Sequence, residues 1–339
     1  MSANTAPQSL PKSDGASLLT VTELTTEFRT AGGTIVANNR VSLWVEAAKI
    51  LGIVGESGSG KSVLCRSILR LLPSPPAHIM GGEVWFNGRD LFKLSEAEMQ
   101  AVRGVEIGMI FQDPMTSLNP VWRIGDQITE GLRVHKGITG KEARQIGIEL
   151  LHKVGIPSPQ TRIDDYPHRL SGGMRQRVVI AMAIASQPKL LLADEPTTAL
   201  DVTIQDQILA LMLQLQEQTG MAIILVSHDM GVVAETTDRV AVMYAGQVME
   251  LATTDAMFRN PQHPYTLGLL NSIPRIERKV DRLIPMQGQP PNLLKLSRGC
   301  PFANRCPVAT PDCAETPIAL REVEPGHYSA CLYPERVSA

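Results

Sequence analysis

The chain has 339 residues, 43% hydrophobic and 19% charged, a balance typical of a folded globular protein with about two domains. Its net charge of −2 and pI of about 6.4 give no electrostatic argument for a nucleic-acid partner, so none is expected. The longest apolar run, residues 178–185, falls far short of the ~18 residues that a membrane-spanning helix requires.

The first 17 residues are polar and include Pro7 and Pro11. They lack the apolar core of a secretory signal peptide. We therefore expect residues 1–17 to form a disordered leader and the chain to be cytosolic. Short strands are predicted next, at residues 19–21, 34–36 and 41–45.

A buried strand predicted at residues 49–54 leads into a glycine-rich loop and then into an amphipathic helix. The loop fits the pattern Gly-x-x-x-x-Gly-Lys-Ser and consists of Gly55, Glu56, Ser57, Gly58, Ser59, Gly60, Lys61 and Ser62. In such a P-loop the glycines let backbone N–H groups face phosphates, Lys61 reaches the β- and γ-phosphates, and Ser62 ligates Mg²⁺. A chance glycine-rich turn would not need this strand–loop–helix context.

Buried strands alternate with helices through the rest of the first 272 residues. The predicted strands are residues 83–86, 108–111, 190–193 and 222–226, and the predicted helices are residues 124–155, 172–185 and 203–218. Such alternation is typical of an α/β fold with a parallel sheet.

Two acidic residues follow the strand predicted at residues 190–193. The end of a strand in such a sheet would place Asp194 where it can hold a metal ion, directly or through water. Glu195, one residue later, can polarise the attacking water as a general base. An acidic strand cap is the alternative for an isolated Asp-Glu pair, but here the pair follows a complete P-loop.

Ser171, Gly172 and Gly173 open the helix predicted at residues 172–185. Backbone N–H groups and the dipole at a helix start attract phosphate. Because the P-loop already surrounds one γ-phosphate, this second phosphate-binding element indicates a second nucleotide shared with another subunit. A simple helix N-cap is the alternative; the continuation through Gln176 and Arg177, about 20 residues before the acidic pair, weakens it.

The composition changes near residue 272, where prolines become frequent, so a small loop-rich accessory domain is expected over residues 273–339. This region holds Cys300, Cys306, Cys313 and Cys331, spaced C-x5-C-x6-C-x17-C. Disulfides are disfavoured in the cytosol, so the spacing favours a metal site. Since zinc sites usually open with a shorter pair, a structural 4Fe–4S cluster is the first expectation. Zn²⁺ and four reduced structural thiols are the alternatives.

Three longer runs carry a resemblance to a known family. They are residues 111–120 (FQDPMTSLNP), 170–177 (LSGGMRQR) and 260–266 (NPQHPYT). With the P-loop and the acidic pair, they resemble the ATP-binding-cassette (ABC) ATPases, and in particular the ATPase subunits of the dipeptide, oligopeptide and nickel importers. The second run looks like the D-type of the paired subunits, because a Gln usually follows the two glycines in the F-type. The cysteine-bearing tail is similar to that group's C-terminal extension, whose cysteines are associated with a 4Fe–4S cluster.

The resemblance implies roles for five further residues. Gln112 matches the Q-loop glutamine that touches Mg²⁺ and the attacking water, and His228 matches the switch histidine at the γ-phosphate. Phe28 lies where the family places an aromatic for adenine stacking. Gln176 belongs to the signature that faces the partner's ATP, and Asp201 to the D-loop that couples the two sites. Without the resemblance, Gln112 would be an ordinary surface residue, His228 a structural histidine and Phe28 a core residue.

The resemblance also implies a fold and an assembly. The fold is a P-loop ABC cassette with antiparallel β and helical subdomains over residues 18–272. Two ATPase subunits, this chain and an F-type paralogue, close head to tail over two ATP molecules. Closure drives two integral membrane permease subunits, which receive solute from an extracytoplasmic binding protein. The chain would lie at the cytoplasmic face of the inner membrane and hydrolyse ATP to import dipeptides or oligopeptides, with nickel or another small solute as the alternative.

Other classes of P-loop protein fit the sequence less well. A soluble ABC protein of translation would carry two cassettes, and a chromosome-maintenance ATPase would insert a long coiled coil between the P-loop and residue 171. A P-loop kinase outside the ABC group would not need residues 170–177. The solute itself is selected by other chains.

Overall fold

The computed structural model describes residues 17–198, 200–272, 286–294, 296 and 298–337. The leader predicted for residues 1–17 therefore lies outside the described residues except for Ser17, which begins a strand. The strands are β1 (Ser17–Thr30), β2 (Gly33–Glu46), β3 (Ile50–Val54), β4 (Ala77–Phe86), β5 (Arg89–Asp90), β6 (Ile107–Ile110), β7 (Leu190–Asp194), β8 (Ala222–Val226), β9 (Arg239–Tyr244), β10 (Gln247–Thr253), β11 (Arg321–Glu324) and β12 (His327–Ser329).

Helices separate most of these strands. The α-helices are α1 (Lys61–Ile68), α2 (Glu96–Val102), α3 (Pro114–Ser117), α4 (Ile124–Lys136), α5 (Gly140–Lys153), α6 (Pro159–Arg162), α7 (Gly172–Ile184), α8 (Val202–Thr219), α9 (Met230–Thr236), α10 (Thr254–Arg259), α11 (Pro264–Asn271) and α12 (Pro311–Glu315). Short 3-10 helices cover Pro167–Arg169, Ala303–Arg305 and Pro334–Arg336. Within the described ranges, none of the helices is long and apolar enough to cross a lipid bilayer.

The chain divides into two compact units. The first unit contains the described residues up to 46, residues 50–92, and those from 227 onward. One antiparallel sheet in it has the strand order β2-β1-β4-β5. Five further strands lie in the order β11-β12-β10-β9-β3; β3 and β9 are parallel and the other pairs are antiparallel. The P-loop leaves the carboxyl end of β3 in this unit.

The second unit contains residues 47–49 and 93–226. Its strands β8, β7 and β6 pair in parallel in that order. All five residues of β7 and of β8 are buried, as expected for parallel strands covered by helices on both faces. The helices α4, α5 and α7 pack on one another and form a helical region.

Most predicted elements are confirmed, with longer strands at the N-terminus. The predicted strands at residues 190–193 and 222–226 are β7 and β8, and the predicted helix at residues 203–218 is α8. The short strands expected before residue 46 instead merge into β1 and β2, which have 14 residues each. Register shifts along their ladder interrupt the alternation of buried and exposed residues, so the sequence pattern showed only fragments.

Candidate functional site

The P-loop is packed so closely that two of its glycines are required. Gly55 has φ +152° and Gly60 has φ +99°, conformations that L side chains rarely adopt. A Cβ on Gly55 would lie 2.1 Å from the Met243 carbonyl oxygen, and one on Gly60 would lie 2.3 Å from that of Ala37. Gly58, with φ +78°, instead has open space where a Cβ would be. The loop therefore has a tightly supported base and an open glycine tip, which fits a phosphate-binding cradle.

Lys61 lies across this loop. Its Nζ donates hydrogen bonds to the carbonyl oxygens of Gly55 (2.8 Å) and Glu56 (3.0 Å), and the side chain is buried. The Asn38 side-chain amide donates to the Gly60 carbonyl oxygen at 3.0 Å, where α1 begins. A buried ammonium held over the loop is the charge that an anionic phosphate requires. Ser62 follows it in the first turn of α1 and is half-buried.

The switch-histidine candidate lies beside the strand that precedes the P-loop. The Ser227 backbone N–H donates to the Ile53 carbonyl oxygen at 3.0 Å, next to the carboxyl end of β3. His228 follows and is exposed, and Asp229 caps α9 by accepting hydrogen bonds from the backbone of Gly231 and Val232. His228 therefore directly follows the residue that pairs with the carboxyl end of β3, the strand that leads into the P-loop.

The second unit brings together Gln112 and Glu195, which lie 83 residues apart in the sequence. Gln112 follows β6 and Glu195 follows β7, at the carboxyl ends of adjacent parallel strands. The Gln112 side-chain amide donates to Glu195 Oε2 at 3.1 Å, and the Thr198 hydroxyl donates to the same oxygen at 2.9 Å. Asp194, the last residue of β7, is fully buried. A buried carboxylate beside an oriented one suits a divalent cation and an activated water.

Glu195 is held in an unusual backbone conformation. Its φ is +47°, in the left-handed region that costs free energy for a residue with a side chain. Its backbone N–H donates to the Val226 carbonyl oxygen at 3.1 Å, which fixes the turn after β7 against the end of β8. The strained turn and the two side-chain hydrogen bonds together fix the direction of the carboxylate.

The signature residues form the start of α7. Ser171 is the N-cap, and its hydroxyl accepts a hydrogen bond from the Met174 backbone N–H at 3.3 Å. A Cβ on Gly173 would lie 2.7 Å from Ile204 Cγ2, so this position keeps α7 close to α8. Gln176 is 1% exposed, and among the described residues neither of its amide atoms has a hydrogen-bond partner. Its assignment to the partner's ATP stays a prediction.

Two further candidates have local structural roles. Asp201 caps α8, accepting a hydrogen bond from the Ile204 backbone N–H at 3.0 Å. Its neighbour Ala199 lies outside the described residues, so the D-loop is described only in part. Phe28 is half-buried in β1, where it pairs with Ile35 of β2 and Ala77 of β4.

A shallow groove of about 570 Å³ lies on the helical part of the second unit, just after the segment that follows Gln112. Its lining residues are Val121, Trp122, Arg123, Asp126, Glu130, Arg133, Val134 and Tyr166. Val121 and Val134 are 74% and 71% exposed, and Trp122 is 46% exposed. Apolar side chains this exposed and grouped together indicate a contact surface.

The four C-terminal cysteines lie in the first unit as free thiols. Burial raises the pKa of Cys300 to about 12 and that of Cys331 to about 11, so both are protonated at neutral pH. The sulfur of Cys331 accepts a hydrogen bond from the Tyr333 backbone N–H at 3.4 Å, and that of Cys313 lies 3.2 Å from the Thr310 hydroxyl.

Known proteins resemble this chain along nearly its whole length. The family model described as "ABC transporter" matches residues 38–198, and that described as "Oligopeptide/dipeptide transporter, C-terminal region" matches residues 249–313. The oligopeptide transport ATP-binding protein OppD of Bacillus subtilis (strain 168) is 51% identical over 321 residues, covering 94% of this chain and 90% of OppD. This chain belongs to the ABC transporter family. ATP hydrolysis coupled to transport is the general activity of such ABC ATPase subunits.

Further comparisons agree with this ABC assignment. The dipeptide transport ATP-binding protein DppD of the same organism is 51% identical over 290 residues, covering 86% of this chain and 87% of DppD. A solved dimeric ATP-binding cassette, MJ0796 bound to ADP and phosphate, is 28% identical with a TM-score of 0.63, covering 70% of this chain and 98% of that one. The D-type resemblance and the predicted cassette fold are therefore confirmed.

The predicted 4Fe–4S cluster is wrong. Within the part of the chain that the structure describes, no group of three or more His, Cys, Asp or Glu side chains is placed to hold a metal ion, and Zn²⁺ gains no support either. OppD and DppD are named simply as ATP-binding proteins. The prediction rested on the spacing of the cysteines and not on packing. Phe302 is 1% exposed and packs with Tyr244 and Tyr265, so burial of apolar surface holds the tail.

Two residues that contact Glu56 of the P-loop were not predicted from the sequence. The Arg305 guanidinium binds the Glu56 carboxylate, and the Tyr265 hydroxyl accepts a hydrogen bond from the Glu56 backbone N–H at 3.0 Å. They lie 249 and 209 residues away from Glu56 in the sequence. Tyr265 lies in the run 260–266 that carries the family resemblance, which was the available signal. No local pattern marks Arg305.

Proposed function

We propose that this chain is the ATP-hydrolysing subunit that powers import of dipeptides or oligopeptides through partner membrane subunits. The observation that carries the proposal is the 51% identity to peptide-transport ATP-binding proteins over up to 94% of the chain. The match of residues 249–313 to the oligopeptide/dipeptide transporter C-terminal region supports the same branch. Its working location would be the cytoplasmic face of the membrane that holds those subunits.

In this proposal, the P-loop residues 55–62 bind the ATP phosphates, with Lys61 as the charged contact and Ser62 as a Mg²⁺ ligand. His228 contacts the γ-phosphate, and Phe28 stacks on the adenine. The open tip at Gly58 and the buried ammonium of Lys61 support the P-loop assignments.

The residues of the second unit orient the attacking water. Asp194 and Gln112 would hold Mg²⁺, which when bound neutralises developing negative charge on the phosphates. Glu195 accepts the proton of the attacking water as the general base. The hydrogen bonds from Gln112 and Thr198 hold its carboxylate in one direction, so little reorganisation is required before reaction.

A second ATPase subunit completes each nucleotide site in this account. Ser171, Gly172, Gly173 and Gln176 would face the ATP of an F-type paralogue, and Asp201 would couple the two sites. Closure of the pair would then be a population shift that ATP and the membrane subunits both bias. We also propose residues 18–272 as the cassette and residues 273–339 as its accessory region; residues 273–285 lie outside the described residues.

The groove around Trp122 is the surface we propose for the permease subunits, which take solute from an extracytoplasmic binding protein. Its first lining residue, Val121, is nine residues after Gln112, so a docked helix could bias the segment that carries this glutamine. Its exposed valines and tryptophan suit a partner helix with an apolar face, and its charged lining residues suit a polar rim.

Charge placed in the groove tests this docking. Val134→Asp should abolish co-purification of the chain with its membrane subunits while leaving ATP binding by the isolated chain intact. Met80→Asp, at another exposed apolar residue in β4, is the matched control. Equal recovery of the membrane subunits with both variants would place the permease elsewhere.

Uptake by cells tests the transport function. Cells whose only copy is Lys61→Ala should fail to accumulate a labelled dipeptide or tripeptide, because the variant loses a charge-assisted phosphate contact. Uptake of labelled nickel and of an unrelated sugar is measured in the same cells. Normal peptide uptake with loss of nickel uptake would replace peptide by nickel as the solute.

A further inference from the structure

The second residue of the P-loop, Glu56, forms an ion pair with Arg305 of the C-terminal region. Arg305 Nη1 donates to Glu56 Oε2 at 2.8 Å and Nη2 donates to Oε1 at 3.0 Å, a bidentate pair. The Arg305 side chain is 6% exposed and that of Glu56 is 27% exposed. Two parallel charge-assisted hydrogen bonds in this arrangement fix both position and direction.

Arg305 is itself held from several sides. Its Nη1 also donates to the Tyr244 hydroxyl at 3.1 Å, and its Nε donates to the Gln287 carbonyl oxygen at 3.0 Å. The guanidinium carbon lies 5.6 Å from the centre of the Tyr244 ring and 5.8 Å from that of Phe302. The ion pair is therefore prepared by packing of the C-terminal region and does not depend on a flexible surface side chain.

The contact continues through Glu56 into the phosphate-binding backbone. The Glu56 N–H is fixed by the Tyr265 hydroxyl, and its carbonyl oxygen accepts hydrogen bonds from Lys61 Nζ at 3.0 Å and from the Ser59 N–H at 3.2 Å. One residue thus links Arg305 to the lysine and the backbone of the loop. A carboxylate in a loop that binds anionic phosphates would also repel them unless a cation neutralised it.

We propose that Arg305 is a positioning residue for nucleotide binding: it neutralises Glu56 and fixes the P-loop backbone, so that the C-terminal region sets the affinity of this subunit for ATP and ADP. The proposal rests on the nucleotide-binding function proposed above for residues 55–62. It gives the C-terminal region a role in the ATPase cycle that requires no metal.

A charge-balanced pair of variants tests this. Arg305→Met keeps an apolar side chain of similar length but leaves the Glu56 carboxylate without its cation. ATP and ADP affinity of the full chain should fall about tenfold, the size of a typical coupling between sites. Adding Glu56→Gln removes the unbalanced carboxylate, and the double variant should recover to within about threefold of wild type, a strongly non-additive result. Arg305→Lys, which keeps the charge, should lose less affinity than Arg305→Met.

The control and the kinetic readout separate this role from simple structural damage. Arg336→Met removes an arginine from the same C-terminal region, where it stacks on Tyr333 at 4.1 Å, and should bind ATP like wild type. In the assembled transporter, Arg305→Met should raise KM for ATP with little change in kcat, because it weakens ground-state binding.

Two results would overturn the proposal: unchanged affinity in Arg305→Met, or a double variant that binds as weakly as Arg305→Met alone. Failure of the wild-type chain to bind ATP at all would instead remove the nucleotide-binding function and this proposal with it.

Discussion

Glu195 combines a strained backbone with a fixed side chain. Its φ of +47° is unfavourable for a residue with a Cβ, yet hydrogen bonds from Gln112 and Thr198 hold its carboxylate. Strain of this kind persists only where the surrounding structure over-determines it. The acidic pair could be predicted from its place after a buried strand, whereas the strain and the contact with Gln112 depend on pairing between β6 and β7.

Replacing Glu195 by Gln should nearly stop ATP turnover, by about 10²–10⁴-fold, while ATP binding is kept. The amide keeps the shape and can still accept the hydrogen bonds from Gln112 and Thr198, but it is a far weaker base. Phosphate release by the assembled complex and equilibrium ATP binding by the chain are the two measurements. Turnover like that of wild type would remove Glu195 from this role.

The start of α7 shows how an element can carry two functions. Ser171 satisfies a backbone N–H of the helix, and Gly173 allows close packing of the helix on α8. A glycine pair at a helix start suggests phosphate binding from sequence alone. The second reason for Gly173, contact with Ile204, becomes visible only when the helices are packed.

Gly173→Ala should destabilise the protein by about 1–3 kcal/mol, because the new methyl group would overpack against Ile204 Cγ2. Chemical denaturation monitored by tryptophan fluorescence measures the change. Gly81→Ala is the control, since a Cβ there meets no atom within 4 Å. Equal stability of the two variants would contradict the close packing.

Ser171→Arg should slow ATP hydrolysis by the two-subunit complex although this chain's own P-loop is intact. A bulky cation at the start of α7 would block the approach of the partner's nucleotide. Ser171→Ala removes the N-cap hydrogen bond, worth about 1 kcal/mol, without adding bulk, so it separates the two effects. If both variants hydrolyse ATP at one rate, the shared-site arrangement is not supported.

Helix α11 begins at a buried histidine that makes stability depend on pH. His263 is 1% exposed, its Nδ1 accepts a hydrogen bond from the Tyr265 N–H at 3.0 Å, and burial lowers its pKa from 6.5 to about 3. As the pH falls below 6.5, His263 binds a proton in the unfolded chain but stays neutral in the folded chain. The free energy of unfolding therefore falls progressively between pH 6.5 and about 3.

Between pH 7.5 and 5.5 this histidine should cost the wild type about 1.4 kcal/mol of unfolding free energy. His263→Asn keeps a side-chain acceptor for the helix start but does not titrate. Urea unfolding at both pH values should show that the variant loses about 1.4 kcal/mol less unfolding free energy than the wild type. The same loss in both proteins would mean that His263 does not titrate as described.

At the scale of the whole molecule, the sequence predicts the cassette better than the C-terminal region. Strand–loop–helix order and buried strands are local patterns, so the P-loop, β7 and β8 could be placed correctly. The role of the tail depends on Phe302 and Arg305, which reach Tyr244 and Glu56 from distant positions in the chain. Cysteine spacing suggested a metal because nothing local shows that this region packs into an existing core.

We propose that this chain converts ATP hydrolysis into peptide import. The most direct test is ATP hydrolysis by its complex with the membrane subunits and the second ATPase subunit, reconstituted in lipid with the extracytoplasmic binding protein. We predict that peptide-loaded binding protein stimulates hydrolysis and that Glu195→Gln abolishes the stimulated rate. Hydrolysis that is unchanged by peptides and is stimulated instead by nickel or another solute would mean that the chain does not serve peptide import.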